Sequence, residues 1–285
     1  MQGIQVDTCR IVHNVGIVLS PKFAKNLTVG VDYYNVEVNG LPVADFQGAA
    51  DSLGSLGSAS PFAPGFTFAD GTHLTTPDPG QVTVDNWGNL IMPWQPNYSI
   101  KTEGLDFSAN YLIPMDEKYG RINLSAVANY ILSYELRTSS SSQYHEFGGM
   151  YTGLAGLMPD YNITTSLTYE FGGFTYVVSA HYLPETFDPG LTHPEYGEAE
   201  HGYTVNGKTW EIPAYFTIDM QLAYEFGKGK VEGRKWYDGT RVAVGCQNVT
   251  GREPELIPDA VEDNTDKNNY DIIGQFVYFE LSKKF

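Results

Sequence analysis

The 285-residue chain has only two cysteines, Cys9 and Cys246, which lie far apart in the sequence. They form no zinc-binding pattern, and nothing in the sequence supports a disulfide bond between them. Basic residues are also scarce: 17 lysines and arginines stand against 34 aspartates and glutamates, for a formal net charge of −17. This balance argues against a nucleic-acid partner, because phosphate binding requires a basic surface.

Long hydrophobic runs are missing as well. No stretch approaches 18 consecutive apolar residues, which excludes a membrane-spanning helix. The first residues, Met1 to Asp7, contain neither the basic nor the apolar segment of a secretory signal peptide. Helical periodicity is not sustained anywhere in the sequence. Aromatic residues, in contrast, make up 14% of the chain, and the 20 tyrosines outnumber the 15 phenylalanines.

Alternation of apolar and polar residues, the signature of a β-strand with two unlike faces, recurs along the chain. The clearest case runs from Arg121 to Glu135. It is longer than the usual five or six residues of strands in soluble proteins and suits a tilted membrane crossing. The predicted strands cover residues 10–20, 26–38, 99–113, 121–135, 161–171, 174–182, 214–226 and 241–249, together with the C-terminal segment.

The C-terminal strand predicts an apolar face directed outward. Val277, Phe279 and Leu281 share this face with Ile273, and Phe285 ends the chain where an interfacial aromatic residue is expected. An edge strand of a soluble β protein would also alternate, but termini normally fray. We therefore assign Val277, Phe279, Leu281 and Phe285 to a terminal strand that functions in barrel assembly.

The connections between predicted strands alternate in length. Short or medium connections at 20–25, 114–120, 170–173 and 227–239 alternate with long ones at 39–98, 137–158, 184–213 and 250–270. Outer-membrane barrels have this asymmetry, with short periplasmic turns and long extracellular loops, whereas a Greek-key sandwich has no such rule. The sequence therefore predicts an all-β fold, an antiparallel transmembrane β-barrel.

The end of the chain resembles that of TonB-dependent outer-membrane receptors. Gly245 to Pro254 is similar to the phrase xVxNxxxxxP that closes the penultimate strand in that family. Tyr270, Asp271, Gly274 and Phe285 match the pattern YDxxGRxxxxxxxxxF, except that Gln275 stands where arginine is common. Further resemblances to these barrels lie at residues 14–22, 27–34 and 102–106.

This resemblance implies that residues 1–285 form the C-terminal part of such a barrel, about nine of 22 strands, with the plug domain and signal peptide absent. It implies a location in the outer membrane of a Gram-negative bacterium and energised uptake of a scarce solute, such as an iron–siderophore, a vitamin or an oligosaccharide. The implied partners are outer-membrane lipid, the missing plug and strands, the TonB complex acting through that plug, and the barrel-assembly machinery. Neither enzymatic activity nor a cofactor is expected.

No catalytic constellation stands out in the sequence. Ser139 to Ser142 lack a GxSxG context and are interpreted as a loop. Metal binding is an open alternative for two acidic loops, although solvated loops are the simpler interpretation and the second lacks a calcium-binding register. The residues of these loops are Glu195, Glu198, Glu200 and His201 in the first, and Asp259, Glu262, Asp263 and Asp266 in the second. Polar residues expected to line the barrel are Asp32, Asp106, Asn129, Glu135, Thr168, His181, Asp219 and Glu280.

Two alternatives to a receptor remain open at this stage. A general porin-like channel would also be a β-barrel, but it requires a complete, even-stranded barrel. A soluble β-rich carbohydrate-binding protein would explain the lack of a signal peptide, and Trp87, Trp94 and Trp210 would then be candidates for stacking on a sugar.

Overall fold

The computed structural model describes residues 9–43, 46–91, 95–137, 143–152, 156–188, 204–205, 208–228, 233, 235–258, 260 and 263–284. Strands dominate, and one α-helix, α1 (Phe46–Leu56), lies in the first long connection. None of the helices in this described part is long and apolar enough to cross a lipid bilayer. The strands are β1 (Cys9–Leu19), β2 (Leu27–Val43), β3 (Phe66–Phe68), β4 (Trp87–Leu90), β5 (Gln95–Leu112), β6 (Arg121–Arg137), β7 (His145–Glu146), β8 (Met150–Thr152), β9 (Gly156–Met158), β10 (Tyr161–Phe171), β11 (Phe174–Leu183), β12 (Thr186–Asp188), β13 (Thr204–Val205), β14 (Lys208–Ile212), β15 (Tyr215–Glu225), β16 (Thr240–Gln247) and β17 (Phe276–Lys283).

The chain divides into two compact units. The first, which we call the loop unit, comprises Met1–Ile11, Glu37–Ile100 and Leu136–Tyr144. The second, the sheet unit, comprises Val12–Val36, Lys101–Glu135 and His145–Phe285.

One large sheet contains the long strands in chain order, β1-β2-β5-β6-β10-β11-β15-β16-β17, and β7 pairs with β6. Each defined pair from β6 to β17 along this path is antiparallel. Short connections between neighbours, such as the two residues between Phe171 and Phe174, lie at what we call the turn end of the sheet. The long connections lie at the opposite end, the loop end. The predicted all-β antiparallel fold is confirmed.

The register gives the sheet two unlike faces. Thr164 lies opposite His181, which in turn lies opposite Thr217, so polar residues meet polar residues. Leu167 likewise lies between Leu124 and Val178. The polar face includes Asp32, Asp106, Asn129, Thr164, His181, Asp219, Gln221, Arg241, Tyr278 and Glu280, and the apolar face includes Leu124, Leu167, Val178, Met220, Leu222, Val244, Val277, Phe279 and Leu281.

Glycines on the polar face make room for tyrosine rings from the neighbouring strand. Gly245 lies opposite Tyr278 in the register of β16 and β17. A Cβ atom on Gly245 would lie 2.3 Å from the Cζ atom of Tyr278, so the ring occupies the place of a side chain. The same arrangement recurs at Gly104, where a Cβ atom would lie 2.3 Å from the hydroxyl oxygen of Tyr34. An aromatic ring that covers a strand glycine in this way helps to fix strand register.

The loop unit has a hydrophobic core of its own. Leu53, Ala63, Phe66, Leu74 and Val82 form a buried cluster, and Trp87 packs against it. The rings of Phe66 and Trp87 meet edge to face with centroids 5.1 Å apart. The first long connection is thus a packed structure rather than an open loop.

Helix α1 corrects the expectation that no segment of the chain has sustained helical periodicity. Ala49 and Leu53 are both fully buried, and their spacing of four residues places them on one side of the helix. The apolar signal is weak because glycine and serine occupy much of the remaining sequence from 51 to 58.

Within the sheet unit, a second small sheet has the strand order β13-β14-β12-β8-β9. Its strands have two to five residues each, too short for alternation to be recognised in the sequence. β8, β9 and β14 contribute one residue each to a buried cluster, which we call the loop-end core and which consists of Tyr151, Leu157, Ile212, Tyr215, Ile257, Ala260 and Tyr270.

The nine predicted long strands are all present in the sheet, and β10 has the predicted bounds. β2, β5 and β6 extend further at the loop end than the alternation indicated. The position of Ile273 is different from the prediction, because β17 begins only at Phe276. Ile273 lies in a preceding turn, where its backbone N–H donates to Asp271 Oδ1 at 2.9 Å.

We expect Gly245→Val to destabilise the sheet, because the new side chain would displace the Tyr278 ring and the 2.8 Å hydrogen bond from Gln221 to its hydroxyl. Overpacking of this kind costs about 1–3 kcal/mol, and thermal unfolding would measure it. Combining Gly245→Val with Tyr278→Ala should recover part of the loss. Gly54→Val is a control for the added side chain itself, since no atom lies within 4 Å of the new Cβ. Additive effects in the double variant would contradict the proposed contact.

Candidate functional site

A network of hydrogen bonds and ion pairs runs across the polar face of the sheet. Near the turn end, Arg241 donates to Glu280 Oε1 and to Gln221 Oε1, each at 2.9 Å. Asn129 donates to Asp106 Oδ1 at 2.7 Å, connecting β5 to β6. The paired residues come from different strands, and therefore the network depends on the register described above.

A polar cavity of this face lies at the loop end. It has a volume of about 500 Å³ and opens between β10, β11, β15 and the end of β16. Residues 268–271, which precede the last strand, form one of its walls. The polar lining consists of Asn162, Thr164, His181, Thr217, Asp219, Gln247, Asn248, Asn268, Asn269 and Asp271.

His181 and Asp219 form the centre of the cavity lining. The His181 Nε2 atom lies 3.2 Å from Asp219 Oδ2, and its Nδ1 atom lies 3.1 Å from the Thr164 hydroxyl oxygen. The side chain of His181 is 43% exposed and that of Asp219 is 33% exposed, so both face the cavity and retain access to solvent. Three strands thus fix the orientation of one imidazole ring.

Asn248 connects this centre to the last long connection. Its backbone N–H donates to Asp219 Oδ1 at 2.8 Å, and its Nδ2 atom donates to the Arg252 carbonyl oxygen at 2.7 Å. Its Oδ1 atom accepts the Arg252 N–H at 2.9 Å. Asn248 has a φ of 48° and is only 1% exposed. Asparagine tolerates this left-handed conformation better than most residues do, and its amide satisfies the buried turn.

Asp266 holds the opposite wall of the cavity in place. It is 4% exposed, and its carboxylate accepts the backbone N–H groups of Leu157 and Asn268, at 2.7 and 2.8 Å. It also accepts the Asn269 Nδ2 amide at 2.8 Å. Hydrogen bonds to backbone N–H groups compensate the burial of a carboxylate. Asp266 therefore acts as a positioning residue for Asn268 and Asn269, which line the cavity.

The loop-end core includes Tyr270, which belongs to the same segment, 268–271, as the wall residues. The rings of Tyr215 and Tyr270 pack edge to face with centroids 4.8 Å apart. Burial, followed by the nearby Glu255 and Asp266 carboxylates, raises the pKa of the Tyr270 phenol well above its usual value. Tyr270 is therefore neutral under physiological conditions and acts as a packing residue with a polar tip.

The terminal motif of the sequence has a local structural explanation. Tyr270 packs in the loop-end core, Asp271 Oδ1 caps the turn at Ile273, and Gly274 takes a φ of 74° that favours glycine. Gln275, which stands where arginine was expected, donates through Nε2 to the Val249 carbonyl oxygen at 2.9 Å. The motif therefore connects the last long connection to β17.

The cavity lining is acidic and amide-rich. Among its described residues, Asp219 and Asp271 contribute carboxylates, and no lysine or arginine is present. Such a surface can exchange many hydrogen bonds with hydroxyl, amide or amine groups. It is poorly suited to an isolated anion, which would meet carboxylates without a compensating cation.

The polar residues predicted to line a barrel all lie on the polar face, but they do not form one site. His181 and Asp219 meet at the cavity, and Asp106 meets Asn129 at a smaller cavity of about 300 Å³ that Asp32 also lines. Glu280 pairs with Arg241 near the turn end. Glu135 and Thr168 share the face by the parity of their strands.

Sequence reasoning missed the contribution of the last connection to the site. Asn268 and Asn269 lie in the long predicted connection 250–270, and Asn248 lies in the motif from Gly245 to Pro254, and neither feature alone indicates a site. The close spacing of Asp266, Asn268 and Asn269 is the available signal, because such residues favour side-chain bonds to nearby backbone groups.

The two candidate metal-binding loops gain no structural support. No cluster of three or more potential ligands occurs among the described residues. In the second loop, Asp263 pairs with Lys267 at 2.5 Å and Asp266 binds backbone groups, whereas Asp259 and Glu262 lie outside the described residues. Residues 195–201 of the first loop and the serine run 139–142 also lie outside them.

The candidate tryptophans serve different packing roles. Trp87 packs in the core of the loop unit. Trp210 packs against the loop-end core, and its Nε1 atom donates to the Leu256 carbonyl oxygen at 3.0 Å. Trp94 lies outside the described residues. Neither of the two described rings is positioned as a free stacking platform for a sugar.

The terminal-strand residues lie where alternation placed them. Val277, Phe279 and Leu281 are 65%, 69% and 66% exposed on the apolar face of β17, whereas Phe285 lies outside the described residues. Their function in barrel assembly stays a prediction.

No protein-family model matches this chain, and no curated protein matches it. Solved structures of bacterial iron receptors do match. The ferric enterobactin receptor PfeA of Pseudomonas aeruginosa has a TM-score of 0.53 at 12% identity, over 98% of this chain and 32% of the receptor. The siderophore receptor PirA of Acinetobacter baumannii has a TM-score of 0.52 at 14% identity, over 98% and 32% of the two chains.

The FrpB iron transporter of Neisseria meningitidis gives a similar result, with a TM-score of 0.51 at 10% identity over 96% of this chain and 31% of the transporter. The chain thus spans about a third of the length of each receptor. At these identities the similarity establishes the fold, and the extent of the match fits a portion of a β-barrel.

Replacing Asn248 by alanine should loosen the last connection. The substitution removes hydrogen bonds to Arg252 and places alanine at a positive φ, for a combined cost of about 2–4 kcal/mol. Hydrogen–deuterium exchange should become faster across residues 249–271. Asn248→Gly retains the backbone conformation and should show a smaller effect, and equal protection in all three proteins would contradict the assigned role.

Protonation of Glu146 at acidic pH should destabilise the segment that follows β6. Burial opposes ionisation of this carboxyl, but its bonds from the Ser133 hydroxyl and from the N–H groups of Tyr134, Gly148 and Phe147 outweigh burial and lower its pKa. Because the folded pKa lies below that of the unfolded chain, this stabilisation is present above the ordinary pKa and is lost as the pH falls through the folded value.

Amide exchange at residues 145–150, corrected for the intrinsic pH dependence of exchange, should therefore accelerate below a pH of about 4. Glu146→Gln has no charge to lose, so its exchange should change less over the same range. The same acid response in both proteins would assign the effect to another group.

Proposed function

We propose that this chain forms the C-terminal part of the barrel of a TonB-dependent outer-membrane receptor, which takes up a scarce solute. The observation that carries the proposal is the two-faced sheet of strands paired in chain order, whose apolar face exposes large side chains such as Phe279 and Leu281. In a lipid bilayer this face would lie against acyl chains, and the polar face would line the interior.

The other parts of such a receptor complete the proposal. In the described residues, β1 and β17 each pair on one side only, and an unpaired strand edge in lipid leaves backbone groups unsatisfied. We propose that the remaining strands and a plug domain close the barrel, and that TonB acts through the plug. The other proposed partners are outer-membrane lipid and the barrel-assembly machinery. This machinery would recognise the terminal strand up to Phe285.

The proposed location is the outer membrane of a Gram-negative bacterium, with the turn end in the periplasm and the loop end outside the cell. In this orientation the polar cavity at His181 and Asp219 opens toward the outer surface, where a solute arrives. Its hydroxyl, amide and carboxylate groups favour a neutral polyhydroxyl or cationic solute over an isolated anion. Solute selection would then involve Asn268, Asn269 and Asp271.

The alternatives have less support. A soluble carbohydrate-binding protein would need a stacking surface at its site. The candidates Trp87 and Trp210 are packed in separate cores, and the exposed Trp236 does not line the polar cavity. It would also leave the exposed apolar face of β17 without a function, although large apolar patches normally mark an interaction surface. A porin-like channel would require a complete, even-stranded barrel, whereas the large sheet of the described residues pairs nine long strands in chain order.

Arginine substitutions on the two faces test the membrane proposal. Phe279→Arg places a charge on the apolar face and should cost about 2–4 kcal/mol when the protein folds into a bilayer. Thr168→Arg, on the polar face, is the matched control and should cost much less. The measurement is the fraction folded in phospholipid vesicles over a urea series, read from heat-sensitive mobility on a gel, with the chain placed in a closed barrel that supplies the remaining strands.

The opposite ranking is expected for a soluble protein. There, Phe279 would face water at 69% exposure, and arginine would be neutral or would improve solubility. A protein that remains soluble and monomeric without detergent, with Phe279→Arg neutral, would exclude the proposed membrane function.

A further inference from the structure

A groove opens on the apolar face of the sheet beside the connection from Pro114 to Gly120. It has a volume of about 650 Å³ and lies over β6, β10 and β11 at the turn end. Ile122, Leu167 and Tyr176 contribute to its floor, and Tyr119 and Tyr169 stand nearer the connection. The Tyr169 hydroxyl donates to the Tyr119 carbonyl oxygen at 2.9 Å, which fixes one side of the groove.

Lys118 provides a positive charge at the rim of this groove. Its Nζ atom lies 4.8 Å from the centroid of the Tyr119 ring and 3.0 Å from Asp116 Oδ2. The side chain is 63% exposed and that of Asp116 is 55% exposed. Exposed ion pairs contribute little to stability, so Lys118 can exchange this partner for another anion at low cost.

Lysines are concentrated at the turn end of the sheet, although the connection beside the groove also contains Asp116 and Glu117. The chain has a net charge of −17, yet lysines are concentrated in or next to the turn-end connections and the last strand. Exposed aromatic side chains accompany them, including Phe23 at 92% and Trp236 at 88% exposure. These lysines, which we call the rim lysines, are Lys22, Lys25, Lys118, Lys228, Lys235, Lys283 and Lys284.

Basic and aromatic side chains at the border of an apolar face fit the interface of a membrane. Aromatic rings favour the headgroup level, and lysines there attract anionic lipid headgroups. The groove makes this preference specific to one position on the sheet, because its apolar floor extends from Lys118 along the strands. A molecule that combines an anionic head with an apolar chain would satisfy both parts.

We propose that this groove binds one acyl chain of an anionic phospholipid whose phosphate contacts Lys118. The proposal rests on the membrane placement proposed above, and it adds a specific lipid site to that general contact. A soluble peptide partner fits less well, because the groove offers few polar groups for a peptide backbone. The bound lipid would cover Leu167 and Tyr176 and would replace Asp116 as the partner of Lys118.

Lipid binding to the purified protein in detergent micelles tests the proposal. Palmitoyl-oleoyl phosphatidylglycerol and the corresponding phosphatidylcholine would be titrated separately, and retained lipid counted by native mass spectrometry. We expect about fivefold tighter retention of the phosphatidylglycerol, which one lysine near a headgroup can supply. Lys118→Gln should abolish this difference. Lys228→Gln is the charge-matched control, since Lys228 is a rim lysine paired with Glu170 at 3.1 Å outside the groove.

A second pair of variants tests the groove itself. Leu167→Trp fills its floor and should reduce retention of both lipids. Leu124→Trp lies directly opposite in the register, on the same face but outside the groove lining, and should retain them. Because all four substitutions lie on exposed or lipid-facing positions, heat-sensitive gel mobility would verify folding.

Equal retention of the two lipids, or an unchanged preference in Lys118→Gln, would overturn the proposed site while leaving the membrane placement intact. A protein that needs no detergent would instead overturn the placement itself. If only Lys118→Gln folds, the loss or survival of the headgroup preference still decides the matter.

Discussion

The antiparallel register of the large sheet is the constraint on which the other features depend. It places Thr164, His181 and Asp219 together at one end of the polar face, and Arg241, Gln221 and Glu280 together at the other. The same register sends Leu124, Leu167 and Val178 to the opposite face. A strand shifted by one residue would exchange its two faces and break both the polar network and the apolar surface.

At the loop end, the register brings together the side chains that line the cavity. Asp219 belongs to a strand, yet one of its oxygens binds the His181 ring and the other accepts the Asn248 N–H group that begins the last connection. Asp266 repeats this function at the far wall by binding Leu157, which belongs to the small sheet. Two carboxylates thus connect the strands, the small sheet and the final connection around the cavity.

The sequence predicted the long strands well because each has one apolar face and one polar face, a pattern with a period of two residues. It predicted His181 and Asp219 as polar-face residues for the same reason. It could not predict that these two meet each other, or that Asn268 and Asn269 join them, because those contacts depend on the relative register of distant strands. The small strands were not predicted because segments such as Met150–Thr152 are too short to show alternation. Helix α1 was not predicted because glycine and serine separate the few apolar residues around Leu53.

The tyrosine rings that lie over glycines have a consequence for the way the sheet assembles. Alternation of faces forbids a slip by one residue but permits a slip by two, which would return every side chain to its proper face. A slip of β17 by two residues would move Tyr278 from Gly245 to Ala243 or Gln247, where a Cβ atom already occupies the space that the ring needs. The slip toward Gln247 would also move Glu280 away from Arg241. A residue without a side chain therefore helps to select the strand register. At Gly245 and Gly104, only the native register leaves room for the tyrosine ring of the neighbouring strand.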